Sequence, residues 1–204
     1  MSLSGKVAIV SGAAQGLGRA FAIRLAAEGY KVLGFDVKKE VFDVPGVTAL
    51  IADVSKREDV ESVVAKASDM GAIAILVNNA GTWKKTPVDS TWQQAIDDWD
   101  FIMDTNLKGV MMLSRAVVPF LQKDGGHIIN VSTYYVLPAK SDGTNQPDTD
   151  LYNASKWALN GFTDAWAEYL EKDNVKVNGM CMGATDTPML RGLFATNELP
   201  EEMA

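Results

Sequence analysis

Ser11-Gly12-Ala13-Ala14-Gln15-Gly16-Leu17-Gly18, entered from the apolar run Lys6–Val10, is the stretch whose reading decides the fold. A short β-branched run that opens into glycines spaced G-x-x-x-G-x-G reads as a strand passing through a tight turn into a helix. Glycine lets a backbone come close to a pyrophosphate, and the helix that follows offers unpaired N–H groups and the positive end of its dipole. The same small residues could also serve only to pack the turn. At the end of the next apolar run stands Asp36, 24 residues beyond Gly12. A carboxylate there can accept from the ribose diol of a dinucleotide, although a turn after a strand would also take Asp.

Outward from this unit the pattern repeats. Apolar runs at Lys6–Val10, Lys31–Asp36, Val47–Asp53, Ile73–Asn78, His127–Ser132 and Val175–Cys181 alternate with amphipathic stretches at Gly18–Gly29, Ser55–Met70, Asp89–Lys123 and Leu151–Lys172. Near-continuous Val, Ile and Leu in the runs means strands buried on both faces, so the expected fold is α/β, a three-layer doubly wound parallel sheet in one domain over residues 1–204. Ser55 followed by Glu58 reads as a capping box. The Asp89–Lys123 stretch is too long for an ordinary helix and should break near Asn106. Val37–Gly46 leaves room for only a turn or two of helix. Tyr134–Asp150, with Pro138, Gly143, Asn145 and Pro147, reads as a long loop of the kind that tends to be functional.

The composition narrows the function. In 204 residues, 47% are hydrophobic and 22% charged, as in ordinary globular proteins. Lys and Arg total 19 against 26 Asp and Glu, a net charge of −7, which lacks the basic footprint a nucleic acid partner needs. Cys181 alone allows no intrachain disulfide and no multi-cysteine zinc site, and His127 alone allows no histidine metal cage, so no metal site is expected. No targeting or membrane-length segment is visible, and a soluble cytoplasmic protein is expected.

Further along, the third and fourth runs end in Asp53-Val54 and Asn78-Asn79-Ala80-Gly81, small and amide residues that suit the adenine and ribose of a nucleotide where strand ends line a crevice, or simple turns. Tyr152 and Lys156 are spaced i, i+4 on one helix face. An ammonium beside a phenol would lower the phenol's pKa, although such a pair on its own can equally be a solvated face.

Taken in order, these residues resemble the short-chain dehydrogenase/reductase family from Gly5 to about Met189. The glycine-rich segment matches at Gly12, Gly16 and Gly18, with Gln15 and Leu17 between, and Asn-Asn-Ala-Gly matches at Asn78–Gly81. Asn106 in Asn-Leu-Lys-Gly matches the active-site Asn, and Tyr152 and Lys156 match Tyr-x-x-x-Lys. Asn130-Val131-Ser132-Thr133 resembles the serine segment, and Met182–Thr187 resembles Pro-Gly-x-x-x-Thr. The resemblance implies hydride transfer between NAD(H) and a secondary alcohol or ketone. Asn106, Thr133, Tyr152 and Lys156 would be catalytic, with Tyr152 as acid/base, Lys156 lowering its pKa and holding the nicotinamide ribose, and Asn106 holding a water. Gly12, Gln15, Gly16, Leu17, Gly18, Asp36, Asp53, Val54, Asn79, Ala80, Gly81, Tyr152, Lys156, Gly183, Thr185 and Thr187 would bind the cofactor.

The departures carry their own expectations. Thr133 stands at the catalytic serine position and Met182 at the usual proline. Strand alternation sends Ser132 and Thr133 to opposite faces, so one of them is structural, and the match makes it Ser132. Tyr134, Tyr135, Leu137, Met182, Met189, Leu193 and Phe194 would make an apolar wall with Arg191 at its edge, fitting an apolar or cyclic substrate. Asp36 favours NAD over NADP, with Lys38 and Lys39 partly offsetting it. Family members associate through helices corresponding to Leu107–Lys123 and Leu151–Lys172, which implies a homo-oligomer, a dimer or tetramer. The chain stops at Ala204, short of the family's last strand and helix, which reads as a C-terminal truncation. A non-catalytic NAD(H) sensor and an isomerase or dehydratase with retained cofactor are the alternatives.

Overall fold

The computed structural model describes Leu3, residues 5–137 and residues 147–192. Six parallel strands form one sheet in the order β3-β2-β1-β4-β5-β6. They are β1 (Lys6–Ser11), β2 (Lys31–Asp36), β3 (Val47–Ile51), β4 (Ala72–Asn78), β5 (Gly126–Thr133) and β6 (Val175–Met182). The order reverses between β1 and β4, and it is outside the carboxyl ends of the strands at such a reversal that a doubly wound sheet opens its ligand crevice.

Alternation along β1 shows why both faces are apolar. Val7 and Ile9 point into a core shared with α2 (Arg57–Met70), α4 (Val110–Asp124) and α5 (Asp150–Leu170), while Ala8 and Val10 point into a second core under α1 (Gly16–Ala27). Their near-complete burial accounts for the unbroken apolar runs. β6 forms the edge of the described sheet. No helix among the described residues is long and apolar enough to cross a membrane.

Several local expectations change. The helix expected over Gly18–Gly29 begins earlier, at Gly16, so the last two glycines of the turn are its first residues. The capping box at Ser55 does not form: Lys56 precedes the first residue of α2, and the Ser55 hydroxyl donates instead to Asp53 Oδ1 at 2.7 Å. Asp59 then reaches back from α2 to accept from the Asp53 N–H at 2.7 Å. The break expected near Asn106 is a wide π turn, Asp104–Gly109, between α3 (Trp92–Met103) and α4, and the helical path continues through it. Val37–Gly46 holds only one short 3₁₀ segment, Lys39–Asp43, as expected. β5 extends one residue further than its apolar run, through Thr133.

Candidate active site

The glycine turn is held from below by β4. Ser11 Oγ accepts from the N–H groups of Asn79 and Ala80, both at 3.0 Å, and Asn79 Nδ2 donates to the carbonyls of Ser11 and Gly12 at 3.0 and 3.1 Å. Gly12 has φ +67°, in the left-handed region, and a Cβ on Gly18 would lie 2.1 Å from the Gly12 carbonyl oxygen. Only glycine fits there. Gln15 supplies no side-chain cap, so the first turn of α1 faces the crevice without a carboxylate or hydroxyl of its own. Such an end suits an anion. Thr187 closes the turn from the other side, its Cγ2 3.3 Å from where a Cβ on Gly16 would stand.

Asp36 ends β2 beside this turn. Its carboxylate accepts from the N–H of Ala14 at 3.1 Å and of Lys38 at 3.0 Å, and Lys38 Nζ donates to Gln15 Oε1 at 3.0 Å. Asp36, the glycine turn and the first turn of α1 therefore lie together at the carboxyl ends of β1 and β2, an arrangement that fits a dinucleotide. Other expected cofactor residues are differently employed. Asn79 is committed to the turn, and the Val54 side chain is 5% exposed, packed in the core where a Cβ on Gly109 would touch it. The Asp53 carboxylate accepts from Ser55. Thr185 Oγ1 donates to the Gly183 carbonyl at 3.1 Å, and Thr187 caps α6 (Pro188–Arg191) by accepting from the Leu190 N–H.

The second cluster gathers at the ends of β4 and β5. Thr133, the last residue of β5, sets its side-chain hydroxyl beside the phenol of Tyr152. Ser132, one residue earlier, turns to α5 and donates to Asn160 Oδ1 at 3.0 Å. Lys156 Nζ donates to the Val131 carbonyl at 2.8 Å and lies 5.8 Å from the Tyr152 ring centroid. A Cβ on Gly81 would stand 3.8 Å from that same Nζ. Lys156 is 6% exposed, and burial pushes its pKa down to about 8.

One expectation about this cluster fails. Tyr152 is pushed up, not down: burial penalises the phenolate, and the Thr133 hydroxyl beside it offsets only part of that cost. The ammonium of Lys156 is aimed at a backbone carbonyl instead of the phenol oxygen. The Asn106 side chain is drawn into a brace: its Nδ2 donates to the Thr82 carbonyl at 3.0 Å and to Ser155 Oγ at 3.1 Å. Its Oδ1 accepts from the Thr82 N–H at 2.7 Å. The π turn carries this buried amide inward to meet the segment that follows β4, and α5.

Ser155 was not anticipated. It is fully buried and donates to the Tyr152 carbonyl at 2.7 Å, so it joins Asn106 to the backbone of the tyrosine. Its position three residues after Tyr152, on the same helix face, was the available signal. Beneath the site, Asn78 Nδ2 donates to Ser114 and Asn130, and Asn130 Nδ2 to Thr163, a buried ladder binding β4 and β5 to α4 and α5.

Of the residues expected in the apolar wall, five are described: Tyr134, Tyr135, Leu137, Met182 and Met189. The Tyr134 and Tyr135 rings lie 4.6 Å apart, and burial with a hydrogen bond to Tyr134 pushes the Tyr135 phenol up to about 12. Met182 pairs in register with Thr133 on the neighbouring strand. Leu193 and Phe194, with Pro138, Gly143 and Asn145 of the expected loop, lie outside the described residues.

Comparison with known proteins now decides the family. The model described as short chain dehydrogenase matches residues 6–198. The chain belongs to the short-chain dehydrogenase family. It is 35% identical over 213 residues to 3-oxoacyl-(acyl-carrier-protein) reductase FabG of Thermotoga maritima, covering 99% of this chain and 80% of that one. It is 31% identical to dehydrogenase/reductase SDR family member 6 of Danio rerio, over 98% of this chain and 79% of that one. Among solved structures, 3-ketoacyl-(acyl-carrier-protein) reductase from Brucella melitensis complexed with NADH superposes with a TM-score of 0.81 at 32% identity, covering 93% and 79% of the two chains. Aldohexose dehydrogenase of Thermoplasma acidophilum superposes with a TM-score of 0.85 at 26% identity, covering 98% and 76%. This short-chain dehydrogenase is therefore a Rossmann-fold oxidoreductase of a family that binds NAD(H) or NADP(H).

Proposed function

We propose that this short-chain dehydrogenase interconverts a secondary alcohol and its ketone with NAD(H), on a substrate that is apolar or cyclic. The observation that carries this is the hydroxyl pair of Thr133 and Tyr152, backed by the buried Lys156, at the mouth of the crevice that the glycine turn opens. A nicotinamide bound there would supply and accept the hydride. In the reducing direction Tyr152 gives its phenolic proton to the carbonyl oxygen, and Thr133 donates a hydrogen bond to the same oxygen as negative charge develops. Lys156 would steady the ribose through its ammonium. With its pKa raised, Tyr152 is protonated at neutral pH, the form that reduction needs. Alcohol oxidation needs the phenolate, so its rate should climb into the alkaline range.

Asp36 supports NAD, since a 2′-phosphate would meet its carboxylate. Tyr134, Tyr135, Leu137, Met182 and Met189 support an apolar ring or chain. The names of the Thermotoga and Brucella relatives denote reduction of a 3-oxo group, which is itself a ketone reduction. Exposed Trp157 and Tyr169 on α5 support assembly into a homo-oligomer. The deciding assay follows reduced-nicotinamide absorbance with NAD and a panel of alcohols, and with NADH and the matching ketones. Turnover of cyclic or apolar secondary alcohols in preference to short carboxylated ones is expected. Nucleotide binding without turnover would make the protein a sensor, and substrate conversion without net change in the nicotinamide would make it an isomerase or dehydratase.

A further inference from the structure

Between β4 and α3 the chain runs as an extended strap, Thr82–Thr86, held at three points. At its start the backbone of Thr82 is gripped on both sides by the Asn106 amide. In its middle Lys84 pairs with Asp98 of α3, a carboxylate 2% exposed that also accepts from Gln94. At its end Thr86 meets the chain entering α5. The Thr86 N–H donates to the Asp148 carbonyl at 2.6 Å, the two backbones pair as a parallel bridge at Thr86 and Thr149, and Thr86 Oγ1 donates to Asp150 Oδ1 at 2.5 Å. Lys85 adds an ion pair to Asp148 at 2.8 Å. Thr86 is 4% exposed, so this is an internal joint.

The joint closes a circuit around Tyr152. Asp150 Oδ1 also accepts from the Leu151 N–H at 2.7 Å, fixing the first turn of α5. On the far side of the tyrosine, Ser155 ties the Tyr152 carbonyl to Asn106, and Asn106 returns to Thr82. The phenol must meet Thr133 on β5, so the register of α5 against β5 depends on both halves of the circuit. We infer that Thr86 is a positioning residue: through Asp150 it sets the first turn of α5, and with it the placement of the Tyr152 phenol against Thr133 and Lys156. This rests on the acid/base reading of Tyr152 given above.

The test compares Thr86→Val, which keeps the shape and removes the donor, with Thr86→Ser, which keeps the donor, alongside Tyr152→Phe. In Thr86→Val we expect kcat to fall about ten-fold or more, as displacement of a reacting group by a fraction of an ångström does. The dissociation constant for NADH should stay within about two-fold, because the joint does not reach the glycine turn. The pH at which alcohol oxidation reaches half its alkaline maximum should also move, and Thr86→Ser should restore both values. A purely structural role would lower the melting temperature and leave the pH profile in place. An unchanged kcat and pH profile in folded Thr86→Val overturns the inference, as does a Thr86→Ser enzyme as impaired as the valine variant. Should Thr86→Val fail to fold, Asp150→Ala, at an exposed position, removes the acceptor and must give the same kcat loss and profile shift for the inference to stand. Retained activity in Tyr152→Phe would instead overturn the acid/base reading itself.

Discussion

Lys156 should leave a legible mark on stability as pH rises. Its ammonium is 6% exposed, makes one hydrogen bond, to the Val131 carbonyl, and is pushed by burial from 10.5 to about 8. A base whose pKa is lowered on folding binds fewer protons in the folded chain than in the unfolded one between those two values. Stability therefore rises with pH in that window. The penalty of burying the charge is fully present below about pH 8 and fades toward pH 10.5. The full displacement corresponds to about 3 kcal/mol, at ~1.4 kcal/mol per pH unit. Between about pH 7.5 and about pH 10, some 2 kcal/mol of it should be recovered. Urea unfolding of the wild type and of Lys156→Met across that range isolates the group, since other residues titrate alike in both proteins. The wild type is expected to gain about 2 kcal/mol relative to the variant. Parallel curves would refute the burial argument, and a wild type that loses ground with pH would mean the ammonium is paired with an anion.

Asp36→Ala should raise kcat/KM with NADP about ten-fold, the equivalent of ~1.4 kcal/mol of relieved repulsion, while the NAD value falls; an unchanged ratio would remove Asp36 from cofactor choice. Thr133→Val should lose about 10²–10³ in kcat, Thr133→Ser should remain active, and Ser132→Ala should cost far less, because its hydroxyl is committed to Asn160. The reverse ranking in steady-state kinetics would exchange the two roles. Gly18→Ala places a Cβ 2.1 Å from the Gly12 carbonyl and should destabilise the chain by about 3 kcal/mol or more, visible as a lower melting temperature and lost NADH binding. A variant as stable as the wild type would show that the turn can move.

Local patterns already named the strands, because a strand buried on both faces must be apolar throughout. They named the glycine turn too, because only glycine tolerates what Gly12 and Gly18 meet. Asp36, Thr133, Tyr152 and Lys156 were named as candidates from order and spacing, and the choice of Thr133 over Ser132 came from the family match, since alternation alone says only that neighbours differ. What tertiary structure alone decided are the relations between residues distant in the chain. Asn79 is committed to residues 68 and 67 positions away, Asn106 to Ser155 49 away, and Thr86 to Asp150 64 away. A sequence shows an amide or hydroxyl without showing its partner. For that reason the brace that Asn106 makes between Thr82 and Ser155 could not be read from its motif. The pKa of Tyr152 rose instead of falling because burial and the aim of one ammonium depend on where β5, α5 and the π turn come together, and no spacing along a single helix contains that information.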